Sequence, residues 1–111
     1  SRAAAERSLA ASRTSAAAAA AELEIQLARN AVESSRTRVA FISTEYVKNA
    51  REARDIVLAA YRAGAATLID YLDAQRAFRD AQRAEHRALF DYCVSVFEFD
   101  AALGTTKSGR P

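Results

Sequence analysis

Proline is absent from the chain until its last residue, Pro111, and only one glycine, Gly64, precedes Gly104. These two residues interrupt helices more than any others. From Ala3 to Tyr61 nothing forbids a continuous helix, which at about 1.5 Å per residue would reach roughly 90 Å. Such length without internal caps belongs to coiled coils and helical repeats rather than to ordinary globular helices. Composition agrees. About a quarter of the 111 residues are alanine, with five Phe, four Tyr, no Trp and no Met. Alanine forms helix readily but buries little area, so long, closely packed helices suit this chain better than a thick core.

The apolar pattern predicts a supercoil. Ile25, Val32, Val39, Tyr46, Ala53 and Ala60 recur every seven residues, and Ala28, Ser35, Ile42, Asn49 and Ile56 form the companion series. A sustained seven-residue repeat implies a left-handed supercoil with partners along the seam. Asn49 then either sets register or marks a stretch where the weakly apolar seam faces water.

Gly64 can adopt positive φ and end the first helix. Thr67 is a good N-cap, and Asp70 three residues later makes a relative of the capping box. The expected organisation is one all-α domain: an antiparallel two-helix coiled-coil hairpin with helices at about 3–61 and 68–103. A tip turn at 62–67 joins them, and a polar tail covers 104–111. In the second helix DAQRA at 73–77 returns at 80–84. Its seam alternates large (Tyr71, Phe78, Tyr92, Phe99, with Glu85 intervening) and small (Ala74, Ala81, Ala88, Ser95, Ala102). Leu68, Leu89, Val96 and Leu103 add a stripe alongside, wider than a two-stranded seam needs. The shorter second helix cannot cover the alanine-rich segment before Glu22. The hairpin is therefore expected to self-associate or to be part of a larger helical assembly, and the abrupt helical start at SRAAAERSL points the same way.

Sixteen basic and fourteen acidic side chains give a net charge of +2, without the one-sided basic excess of a nucleic-acid surface. No run approaches the roughly 20 apolar residues of a spanning helix, and the N-terminal stretch lacks the apolar core of a secretory leader. The single Cys93 excludes an intramolecular disulfide and any multi-Cys zinc site. It reads as a small buried apolar group among Tyr92, Val94 and Val96. His86 has no second ligand at suitable spacing, so no metal and no cofactor is expected. Without a phosphate loop or a nucleophile beside a base, the chain does not read as an enzyme.

The stretch AAYRAGAATLIDYLDAQRAFRDAQRA, followed by an aromatic helix ending in FDAALG, resembles the C-terminal helical hairpin of TolC-like outer membrane efflux proteins. Tyr61, Gly64, Leu68, Ile69, Asp70, Leu72, Asp73, Ala74, Leu103 and Gly104 carry the likeness, which is specific from about residue 59 to 104. Upstream it rests on helix length and texture. The resemblance implies one hairpin of a trimeric periplasmic α-barrel below an outer-membrane β-barrel. This chain lacks the alternating segments that membrane strands require, so membrane contact would come only through strands of the parent channel. The turn would be the periplasmic tip, engaged by an adaptor protein and an inner-membrane pump, and the channel a passive conduit for solute export.

The resemblance places Tyr61, Arg62 and Gly64 at the tip gate, where Tyr61 either hydrogen-bonds between helices or staples the hairpin end. Ala66 stands where some family members carry a basic residue, which favours a gate based on packing. Asp70 and Asp73 share a face at i and i+3; three copies would form an acidic constriction that enriches cations. In the simpler reading Asp70 complements the helix N-terminus. Arg76, Arg79, Arg83 and Arg87 form a stripe that would serve adaptor docking or phosphate contact or, in the favoured reading, is a solvated face with Asp73, Asp80 and Glu85 as weak partners. The alternative to the channel is a free-standing coiled-coil interaction module, such as a periplasmic adaptor hairpin.

Overall fold

The computed structural model describes residues 1–108, and among them it is all-helical. Helix α1 runs Arg2–Phe41, a π-helical segment follows at Ile42–Val47, and α2 covers Lys48–Arg62. One turn leads to α3, Leu68–Ser108. Two long helical runs joined at Gly64 therefore match the expected elements. None of these helices is long and apolar enough to cross a membrane.

Local chemistry sets the ends. Ser1 caps α1: its Oγ accepts from the Ala4 N–H at 3.3 Å and its carbonyl from the Ala5 N–H at 3.1 Å. The abrupt helical start at SRAAAERSL is thus closed by a conventional serine N-cap. Beyond it, Arg2 and Glu6 pair at 3.2 Å. At the other end the expected stop at Gly104 is corrected, because α3 continues through it to Ser108. Gly64 is the one described glycine at positive φ. A glycine inside a helix costs only about 1 kcal/mol relative to alanine, which is too little to stop a helix that meets no proline before Pro111. The predicted tail of 104–111 is therefore helical over 104–108; the rest of it lies outside the described residues.

The chain divides into two units, Glu33–Val94 and a second made of Ser1–Val32 with Ser95 onward. In the Glu33–Val94 unit the two helical runs pair antiparallel. Ile42, Val47, Phe78, Ala81 and Ala88 form its core, with Val39, Ala50 and Ala84 packed against it. Ala81 is completely buried; small side chains at the seam let the two backbones approach. In the other unit Ala21, Ile25 and Ala28 are half-buried and Val32 is buried, with Ser95 buried on α3. The Arg29 guanidinium lies 6.0 Å from the Phe99 ring centre. Residues 2–20 are exposed throughout, so the alanine-rich segment has no apolar face covered within the chain.

The seven-residue seam of the first run holds through Val39 and Ile42 and then slips. Tyr46, Asn49, Ala53 and Ile56, expected inward, are exposed, while Val47, Ala50, Arg54 and Val57 take the inward positions. Val47 is 4% exposed and Tyr46 45%. The π segment is the cause. Its wider turn accommodates one extra residue and advances the inward positions by one as far as Val57; Ala60 is half-buried in the original phase and Tyr61 is exposed. The Thr44 hydroxyl donates to the Ala40 carbonyl at 2.6 Å near its start, and the Lys48 N–H bonds the Glu45 carbonyl at its end. The shift removes the Asn49 amide from the seam, where burial without a partner would cost free energy, and seats Ala50 there.

Candidate functional site

The turn and the helix ends it joins hold the residues singled out by the sequence. Helix α2 ends in a Schellman motif: the Ala65 N–H donates to the Ala60 carbonyl at 2.8 Å and the Gly64 N–H to the Tyr61 carbonyl at 3.1 Å. This closure requires a left-handed residue after the C-cap, and Gly64 supplies it with φ of 81°. A Cβ on Gly64 would meet nothing within 4 Å. The glycine is therefore there for its backbone angle and not for close packing.

Three residues on, Thr67 and Asp70 cap α3 reciprocally. The Asp70 N–H donates to Thr67 Oγ1 at 3.1 Å, and the Thr67 N–H donates to Asp70 Oδ2 at 2.9 Å. This is a capping box with aspartate in the glutamate position. The backbone hydrogen bond from Thr67, then the one involving its side chain, hold the Asp70 carboxyl below the usual carboxylate range. Asp70 remains exposed and ionised.

The structure brings Tyr61 against Tyr71 across the turn, ring centres 6.2 Å apart and planes 16° from parallel. That is the stapling geometry, an offset stack worth about 1 kcal/mol beyond area burial. Arg62 is the last residue of α2 and is exposed, where a cation complements the helix C-terminus. Asp73 points to solvent with Arg76 3.9 Å away. Thus Tyr61, Gly64, Thr67, Asp70 and Tyr71 form one local unit, while Arg62 and Asp73 stand beside it without joining its hydrogen bonds.

Next to the turn, Leu68, Ile69 and Leu72 are exposed large apolar residues. The arginine stripe is solvated: Arg83 meets Asp80 at 3.3 Å and Arg87 meets the half-buried Asp91 at 3.5 Å, both arginines being largely exposed. Asp91 takes the place anticipated for Glu85. Cys93 is exposed, which corrects the expectation of a buried thiol. It lies two residues from buried Ser95 and so projects away from the seam. No group of three potential metal ligands occurs among the described residues.

Sequence reasoning missed a second cluster. The Arg54 guanidinium lies 4.4 Å and that of Arg51 5.6 Å from the centre of the buried Phe78 ring. Arg54 also donates to Asp55 Oδ1 at 2.9 Å. The signal was present as a stripe one residue out of phase with the continuous repeat: Val47, Arg54 and Tyr61 with Ala50 and Val57. An arginine in that stripe hid it, because its aliphatic stem and flat head pack on an aromatic ring while hydropathy scores it as polar. The arrangement as a whole offers packing, capping and exposed apolar rows. No protein-family model matches the chain, and no curated protein or solved structure matches it significantly.

Proposed function

We propose that this chain is the second helical hairpin of the periplasmic α-barrel of a TolC-like outer membrane efflux channel. One observation carries the reading. Within the Glu33–Val94 unit, both helical runs keep large apolar side chains uncovered outside their shared seam. Phe41, Tyr46 and Ile56 are exposed on the first, and Leu68, Leu72, Leu89 and Phe90 on the second. A hairpin in a ring of helices needs a neighbour on each side, and scattered exposure at this density is more than single surface leucines account for. The trimer of the parent channel would supply those neighbours, and an adaptor protein and inner-membrane pump would engage the turn.

In this reading Tyr61, Arg62 and Gly64 lie at the periplasmic entrance. The Tyr61–Tyr71 stack supports a closure based on packing, with Arg62 free to pair between subunits. Asp70 and Asp73 form the acidic constriction; the low pKa of Asp70 keeps its charge in place over the physiological range.

The test is a chimera. Residues 1–108 replace the corresponding hairpin of an efflux channel in a bacterium lacking its own, and export is read as restored resistance. Resistance recovered with a trimeric outer-membrane product supports the reading. A chimera that assembles, reaches the outer membrane and restores no export refutes it. The competing reading, a free-standing coiled-coil module or adaptor hairpin, gains if the isolated chain forms a discrete stoichiometric coiled coil and the chimera fails.

A further inference from the structure

The π segment divides the first helical run between two overlapping apolar stripes, and between residues 46 and 57 only one is in use. Val47, Ala50, Arg54 and Val57 face α3, while Tyr46, Ala53 and Ile56 continue the Ile25, Val32, Val39 seam of α1 without a break in spacing yet lie exposed; Ala60, next in that series, is half-buried again. Ile56 is 69% exposed. An exposed stripe that keeps the phase of a buried seam is what remains when one residue has been inserted into a helix built to run straight through.

We propose that the Ile42–Val47 π segment is a movable insertion that gives the Lys48–Arg62 helix two registers on α3. When the extra residue shifts toward the turn, each segment it passes rotates by about 100°, the angle of one residue on an α-helix. Tyr46, Ala53 and Ile56 then replace Val47, Arg54 and Val57.

The facing surface presents small side chains to either stripe. Ala81 and Ala88 are buried and Ala74 and Ala84 half-buried on α3, so the larger Tyr46 ring in place of Val47 requires the two backbones to move apart locally. Phe78, covered by Arg54 and Arg51 in the present register, would receive the smaller Ala53. A groove lined by Val39, Ala40, Ser43, Leu89 and Tyr92 lies open beside the π segment. Beyond Arg62 the turn is closed by backbone hydrogen bonds, so taking up the added residue there requires that closure to rearrange, which also favours the present register. Asn49 opposes the shift, since it enters the seam in the second register, and so does the loss of the arginine stack on Phe78. The present register is therefore the major one. A partner that covers Tyr46 and Ile56 selects it further, because such a partner binds one register and not the other.

Incorporating 3-fluorotyrosine and assigning Tyr46 by its loss in Tyr46→Phe tests this by 19F relaxation dispersion on the intact chain. The expected result is microsecond-to-millisecond exchange at Tyr46. Deleting Thr44 should abolish it, because the deletion closes the π turn while leaving Val47, Ala50, Arg54 and Val57 inward. Val47→Asn should enlarge the second population and move the Tyr46 resonance toward the minor-state shift. A Tyr46 signal without exchange, or exchange unchanged by the Thr44 deletion, overturns the proposal. Should Val47→Asn unfold, the deletion comparison decides alone.

Discussion

Arg54 lies flat over Phe78, its guanidinium carbon 4.4 Å from the centre of a ring that is 7% exposed. The charge keeps contact with solvent and with Asp55 while the stem and the guanidinium face seal the ring. In a core of five members, two of them alanines, this contact covers the aromatic one. Phe78→Ala should cost about 3–5 kcal/mol, and Arg54→Ala about 1 kcal/mol. Their double variant should cost barely more than Phe78→Ala, because the arginine has then lost its ring. Urea unfolding of the four chains measures the coupling; strict additivity would show that the contact contributes nothing.

The one-residue slip makes neighbouring side chains unequal. Val47→Ala should lower stability by about 2 kcal/mol, from two lost methyl groups and the cavity left behind. Ile56→Ala removes more hydrocarbon but should stay within about 0.5 kcal/mol, as exposed substitutions do. Thermal melts of both variants check the register directly, since an uninterrupted α-helix would reverse the order.

The Thr67–Asp70 box predicts a pH dependence with a defined sign. The Asp70 pKa is lowered in the folded chain, so its contribution is complete above the unfolded carboxylate pKa. It is lost as pH falls from there through the folded value. The melting temperature of the parent chain should exceed that of Asp70→Asn at neutral pH, and the gap should close in acid. Thr67→Ala should cost about 1 kcal/mol and narrow the same gap. A difference independent of pH would mean that the carboxylate takes no part in the cap.

Gly64→Ala isolates a backbone effect. The added methyl group has open space, so only the left-handed angle resists it, at about 1–2 kcal/mol. Gly64→Asn should be milder, because asparagine tolerates that angle better. Equal stability of the alanine and glycine chains, read by urea unfolding, would show that the turn relaxes to negative φ.

The order of these elements was legible in the residues themselves, because each rests on a local rule. Freedom from proline and an alanine-rich texture made the long helices. One left-handed glycine closed the first, and a threonine three residues before an aspartate opened the next. The large–small alternation of α3 is also local, and Phe78, Ala81, Ala88 and Ser95 are buried where their spacing put them. The same local view judged Gly104 a stop and Cys93 an interior group, and failed at both. A lone glycine decides nothing without the left-handed angle, and a thiol beside apolar neighbours in sequence sits on a different helical face.

What only the tertiary structure decided is phase. A repeat of seven fits the first run from Ile25 to Ala60 as one seam, and nothing in that pattern distinguishes it from a seam that shifts by one residue midway. The choice depends on which residues meet α3, some thirty positions away in the chain: Asn49 or Ala50, Ala53 or Arg54 against the Phe78 ring. Those contacts are non-local, so their energies do not exist until the helices pair. The helices of this chain are thus written in its local sequence, while the face they turn to each other is settled by the partner helix.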